Sequence, residues 1–162
     1  QQLSPFITIM VGRVDDYITS LSQNRVDISP GTSSWAGVAV VKKAYEIFQK
    51  RGYRSKLLVA AYRHQKHWTE FIGGNLVLSI PYKWWNIFNA SNIKVEKTIE
   101  RPIEDKILYE LNKIHEFHQL FDENIMKKEG FLNHISSRKS LDQFLNGFDH
   151  IVSMVRKRML CL

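Results

Sequence analysis

Residues 57–68 read LLVAAYRHQKHW. The first five are small or branched apolar residues with no polar alternation, whereas HQKHW and the residues after it follow a helix-like pattern. A continuous apolar strand of this kind is expected to be buried on both faces, as in a parallel sheet covered by helices. Tyr62 and Arg63 stand where that strand surfaces. An arginine is thereby set at the carboxyl end of a buried strand.

The same unit recurs on either side. Upstream, residues 5–11 (PFITIMV) form an apolar run closed by Gly12, with Arg13 directly after it. Downstream, NLVLSIP forms a third run, stopped by Pro81. VDDYITSLSQ suits a short helix, and NRVDISPGTSS a loop with Pro30-Gly31 as its turn and Ser33 or Ser34 as a helix cap. From Trp35 to Lys50, Val38, Val41, Ala44, Tyr45 and Phe48 recur at helical spacing, and Gly52 suits a helix terminator. HQKHWTEFI is expected to be a short helix ending at Gly73-Gly74, and YKWWNIFN another helix. Strands alternating with helices at this spacing imply an α/β fold with parallel strands.

After residue 100 the strands stop. Ile103, Ile107, Leu111, Ile114, Phe117 and Phe121 are spaced to line one long helix starting near Pro102. A second helix, about 138–159, puts Leu141, Phe144, Leu145, Phe148, Ile151, Val152 and Val155 on one stripe. Both stripes are expected to be core, packed on the α/β layer. The division is therefore residues 1–100 for strands and their helices, and 101–162 for terminal helices. Three parallel strands make an incomplete sheet whose outer edges would carry unpaired backbone groups. The chain opens at Gln1 without a methionine and enters a strand within a few residues. The expectation is a piece of something longer, with the remaining strands upstream or on a partner chain.

Composition bounds the class. With 162 residues, 44% hydrophobic and 24% charged, the chain suits one modest domain and excludes disordered or fibrous classes. No apolar segment approaches the roughly 20 residues of a membrane span, and QQLSPFITIMVGR lacks the basic-then-apolar order of a signal peptide. A soluble, cytoplasmic protein is expected. The single cysteine, Cys161, excludes an internal disulfide framework and stands apart from any base. The formal charge of +7 suits an anionic ligand, and equally nucleic acid or a membrane surface.

Arg13 and Arg63 follow their strands in equivalent positions. In parallel α/β barrels that end of the sheet carries the active site, and a guanidinium fork there suits bidentate contact with phosphate. Structural ion pairs with Asp15, Asp16 or Asp27 are the competing reading. His64 and His67, like His115 and His118, have a spacing that puts two imidazoles on one helical face, but zinc needs three or four ligands and the sequence supplies no third. Solvent-facing histidines are expected. Tyr82, Lys83, Trp84 and Trp85 suit base stacking or a membrane surface, yet on a helix after a buried strand such aromatics cover a core. The tail MVRKRML reads as a basic helix end complementing the helix dipole. Neither GxGxxG nor GxxxxGK[ST] nor GxSxG occurs. Lys56 and Lys83 border strands without being interior to one, which does not suit a desolvated Schiff-base lysine. The residues supply a binding half without a chemical half.

These segments resemble the transaldolase family. VGRVDDY is similar to the family pattern in which a strand ends in Val-Gly-Arg and an aspartate-aromatic pair follows. Asp27 with Pro30-Gly31 resembles its Asp-Pro-Gly loop with two extra residues between. VKKAYEIFQKRGYRSKLLVAAYR resembles its helix ending in Gly-Tyr and the strand delivering Ala-Ser-Phe-Arg, and FIGGNLVLSIP its last barrel strand. The likeness covers most of residues 5–90 and runs more loosely to the end.

The resemblance implies the C-terminal part of a (β/α) barrel of transaldolase type: three parallel strands, flanking helices and a C-terminal helical extension. It implies an enzyme of carbohydrate metabolism, in the pentose phosphate pathway of the cytoplasm, moving a dihydroxyacetone unit between sugar phosphates through a lysine Schiff base. No metal or organic cofactor is implied. The family's lysine and proton-managing carboxylates belong to earlier strands, so no catalytic residue is expected in this chain, which would be inactive without its upstream half. By position, Arg13 and Arg63 correspond to the arginines that hold the substrate phosphate. Thr8 corresponds to a serine at the dihydroxyacetone part, Met10 to an aromatic residue, and Ala61 to a serine that helps bind phosphate. The partners implied are a sugar phosphate and the upstream half of the barrel. A non-catalytic half-barrel that binds a partner or phosphorylated ligand is the alternative, and nucleic-acid binding stands third.

Overall fold

β1, Phe6–Met10, lies parallel to β2, Lys56–Ala60, with Phe6 opposite Lys56 and Met10 opposite Ala60. This is a computed structural model that describes residues 4–127 and 129–160. A third parallel strand, β3, Val77–Leu78, pairs with the other edge of β2, giving the order β1-β2-β3. It is shorter than NLVLSIP suggests, although the Ser79 amide still donates to the Val59 carbonyl at 2.9 Å. The α/β expectation with parallel strands holds.

Strand alternation gives the sheet two unlike faces. Ile9, Val59 and Leu78 share one face and join the hydrophobic core. Phe6, Thr8, Met10, Leu58, Ala60 and Val77 share the other; Phe6 and Thr8 are exposed and the rest half-buried. Burial on both faces is thus not observed within these residues. An unbroken apolar run reports what a strand's surroundings must be, not which segment supplies them.

α1 spans Val11–Ser22 and begins directly at the end of β1, so Val11 and Arg13 are helical rather than strand or loop. A 3-10 turn, Thr32–Trp35, leads into α2, Ala36–Arg51. Neither Ser33 nor Ser34 caps α2 by side chain; Ser34 Oγ donates to the Gly31 carbonyl at 2.7 Å. Gly52 ends α2 at φ 60, as expected of a left-handed terminator. α3 is only Lys66–Thr69, and α4 is Tyr82–Asn89, with no fully buried residue. Trp84 meets the buried Trp68 at 5.7 Å, while Tyr82 and Trp85 stack on each other in exposed positions.

The expected long helix after Pro102 is two helices: α5, Asp105–Leu111, and α6, His115–Phe121. Ile114 is extended at the break, and Arg25 occupies a carbonyl freed there. Its Nη1 donates at 3.1 Å to the Lys113 carbonyl, the group a continuous helix would offer to Phe117, and Phe117 turns to the Ile114 carbonyl at 3.0 Å instead. Lys113 returns a bond from Nζ to the Asp27 carbonyl at 3.0 Å. The stripe itself is core: Ile103, Leu111, Ile114 and Phe117 are buried with Val11, Ile18, Val38, Val41 and Val59.

The chain divides into two units, one ending at Glu123 and one beginning at Asn124. The second contains α7, Gly130–Asn133, and α8, Ile135–Leu160, whose last turn carries Lys157 and Arg158. Its apolar stripe includes Phe144, 62% exposed, and Phe148, 64% exposed. Helical periodicity identifies an apolar face without identifying its cover. Cys161 lies outside the described residues. Among the described residues, no helix is long and apolar enough to cross a membrane.

Candidate functional site

Because Met10 and Ala60 are register partners, Arg13 and Arg63 each lie three residues past the same rung of the sheet. Arg13, in the first turn of α1, is half-buried. Arg63, in the loop between β2 and α3, is exposed. The two strand ends are joined where the Gly12 amide donates to the Ala61 carbonyl at 3.1 Å. A Cβ on Gly12 would stand 2.0 Å from that carbonyl oxygen and 2.7 Å from Arg63 Cγ, so only glycine lets the arginine stem lie over the junction. Ala61 itself is at φ 64, in the left-handed region that a non-glycine residue rarely adopts.

The Arg63 guanidinium is held from two sides. Nε and Nη2 donate to the Asp16 carboxylate, Nη2 at 2.8 Å, and Nη1 donates to the Ala61 and Tyr62 carbonyls at 3.2 and 3.3 Å. The ion-pair reading of Arg63 is therefore realised with Asp16. The pair is open to solvent, at 43% and 54% side-chain exposure, where such bridges contribute about 0–1 kcal/mol. Asp27 pairs with Arg25 instead, at 2.8 Å. Of the remaining sequence candidates, Thr8 and Met10 share the less covered face of the sheet with Ala60, and Ala61 follows at its end.

Beneath Arg63 lies a cluster that the sequence reading missed. Asp15 is buried, and its Oδ2 accepts from His64 Nε2 at 2.8 Å and His67 Nε2 at 2.7 Å. Its Oδ1 accepts from the Gly37 amide at 2.7 Å. That amide belongs to the first turn of α2, whose free N–H groups and positive dipole end favour a carboxylate. Burial alone would raise the Asp15 carboxyl; the hydrogen bonds from His64, His67 and Gly37 outweigh it and hold the pKa below its ordinary value.

His67 is fully buried, which corrects the expectation of a solvent-facing pair, and His64 is partly covered. The His67 pKa is lowered by burial, despite Asp15. Its Nδ1 accepts the Arg63 amide at 3.0 Å, so its proton is on Nε2. Asp15, His64 and His67 have donor atoms close enough to one another for a metal. However, a metal on His67 Nε2 would need that lone pair, moving the proton to Nδ1 against the Arg63 N–H. The donor set as built suits hydrogen bonding and not a metal. His115 is exposed and accompanied by Gln119 at 3.2 Å.

Beside this cluster, Ser34, His64, Gln65, Lys66 and Trp84 line an open cavity of about 500 Å³. Lys66 Nζ donates to Ser34 Oγ at 2.8 Å and stands 4.7 Å from the Trp35 ring, and burial lowers its pKa. A larger hollow of about 750 Å³ lies between α2 and residues 99–105, lined by Lys42, Glu46 and Arg101 among others, and includes none of the sequence candidates.

A family model described as Transaldolase/Fructose-6-phosphate aldolase matches residues 3–153. The chain is 29% identical over 150 residues to the transaldolase of Wigglesworthia glossinidia brevipalpis, an alignment covering 88% of this chain and 43% of that protein. The chain thus spans less than half the length of this curated relative. The family match runs through both arginine-bearing strand ends and on through the helices beyond them, and by it the chain belongs to the transaldolase/fructose-6-phosphate aldolase family.

Proposed function

We propose that this chain is the C-terminal part of a transaldolase-type (β/α) barrel, and that it supplies the phosphate-binding side of an enzyme moving a dihydroxyacetone unit between sugar phosphates. The Schiff-base lysine and the proton-managing carboxylates belong to an upstream half, on the same polypeptide or a separate chain. The observation that carries the reading is the equivalence of Arg13 and Arg63, three residues beyond the paired Met10 and Ala60 at the carboxyl ends of adjacent parallel strands. Two arginines at that end of a parallel sheet suit an anionic substrate group. Thr8 and Met10 face the sugar carbons from β1, and Ala61 lines the phosphate side with one hydroxyl fewer than the family pattern. Asp16 holds the Arg63 fork, and an exposed pair of this kind is weak enough for a phosphate dianion to join or displace it.

Arg63→Ala in the full natural polypeptide tests this. Hydrogen bonds to charged groups contribute about 1.5–3 kcal/mol, so affinity for a sugar phosphate should fall by about tenfold to a hundredfold while binding of the unphosphorylated sugar is unchanged. Equal discrimination between the two ligands in variant and wild type would reject the role.

A further inference from the structure

We infer that Asp15 and His67 are positioning residues that fix the backbone of Arg63 through a single imidazole tautomer, an inference that rests on the phosphate-binding reading of Arg63. β2 ends at Ala60, and the sheet no longer supplies a partner for the amide three residues later. His67 Nδ1 supplies it, at 3.0 Å. That nitrogen can accept only while the proton stays on Nε2, and Asp15 Oδ2, 2.7 Å from Nε2, is the acceptor that keeps it there. Asp15 is in turn fixed by the Gly37 amide at 2.7 Å and by His64 at 2.8 Å.

The consequence is geometric. Asp15 is on α1, two residues after Arg13, so one chain of hydrogen bonds ties the loop that presents Arg63 to the helix that presents Arg13 and to the amino end of α2. His67 is 0% and Asp15 4% exposed. In so dry a setting each of these bonds is stronger than in water, and an unmade one is costly. A doubly protonated His67 would set an N–H against the Arg63 N–H. Burial, which lowers the His67 pKa, works in the same direction.

Asp15→Asn and His67→Phe separate this role from simple support of the fold. Asp15→Asn is nearly isosteric, but its amide cannot accept from both histidines while still accepting from Gly37; His67→Phe keeps the ring volume and loses both bonds. In the full natural polypeptide, imidazole ¹⁵N spectra should show His67 as the neutral Nε2–H tautomer between about pH 6 and 8. Titration with inorganic phosphate should show affinity about tenfold weaker in both variants, with binding of an unphosphorylated sugar unchanged, and part of the loss recovered in His67→Asn, whose amide oxygen can accept in place of Nδ1. A charged or Nδ1–H His67 in the wild type overturns the inference without any variant. Wild-type phosphate affinity in Asp15→Asn, folded by circular dichroism and beside a weakened Arg63→Ala control, overturns the relay alone. Wild-type affinity in Arg63→Ala overturns the phosphate reading and the relay's purpose with it.

Discussion

At the scale of single residues, Ala61 holds the tension in this site. It occupies the left-handed region at φ 64, and its carbonyl bridges to both the Gly12 amide and the Arg63 guanidinium. For an L-residue that conformation costs about 1–2 kcal/mol, whereas glycine adds about 0.5–1 kcal/mol of unfolded-state entropy. The first term is the larger, so Ala61→Gly should raise the urea midpoint slightly; a lowered midpoint would mean that the methyl group makes contacts worth more than the backbone strain. The positions of Arg13 and Arg63 just past the ends of β1 and β2 were legible in the sequence, because each closely follows its own apolar run. The Asp15 cluster was not, although Asp15, His64 and His67 each stand out singly. The histidines are 49 and 52 residues from Asp15, and the parallel pairing of β1 with β2 brings the start of α1 beside the residues that follow β2.

At the scale of elements, long-range side chains decide where local patterns end. The apolar stripe of residues 103–121 correctly marks a core face, but the one expected helix is α5 and α6, with Ile114 extended between them and the Lys113 carbonyl accepting from Arg25. Pro102, read as a first-turn residue, precedes the start of α5 at Asp105 by three positions. Glu110 near the end of α5 fixes the loop before α2: its carboxylate accepts from Ser29 Oγ at 2.7 Å, Thr32 Oγ1 at 2.7 Å and the Ser29 amide at 2.8 Å. These bonds, from Ser29 and then Thr32, lower its pKa from 4.5 to about 2. A depressed carboxyl pKa stabilises the fold above the unfolded value and ceases to do so as pH falls through the folded one. Stability should therefore decline between about pH 4.5 and 2, and Glu110→Gln should lower the urea midpoint at pH 7 while flattening that acid limb. An unchanged midpoint at pH 7 would show that the three donors find other acceptors.

At the scale of the whole molecule, the sheet explains why the fold class could be read and its closure could not. Apolar strands alternating with helices specify parallel pairing, and the three strands pair in that way. The same pattern predicts burial on both faces, yet Phe6 and Thr8 are exposed and β1 is an edge strand. Likewise the α8 stripe was legible as apolar, but no property of the helix states what covers it. A family relative more than twice as long as the aligned segment, together with a partly exposed sheet face, supports the proposal that further strands complete a barrel around Thr8, Met10 and the two arginines. The most direct measurement is a crystal structure of the full natural polypeptide with a sugar phosphate bound. The phosphate group should lie within hydrogen-bonding distance of both the Arg13 and Arg63 guanidinium groups, at the carboxyl ends of β1 and β2; a phosphate bound elsewhere, with Arg63 still paired to Asp16, would refute the phosphate-binding role of these arginines.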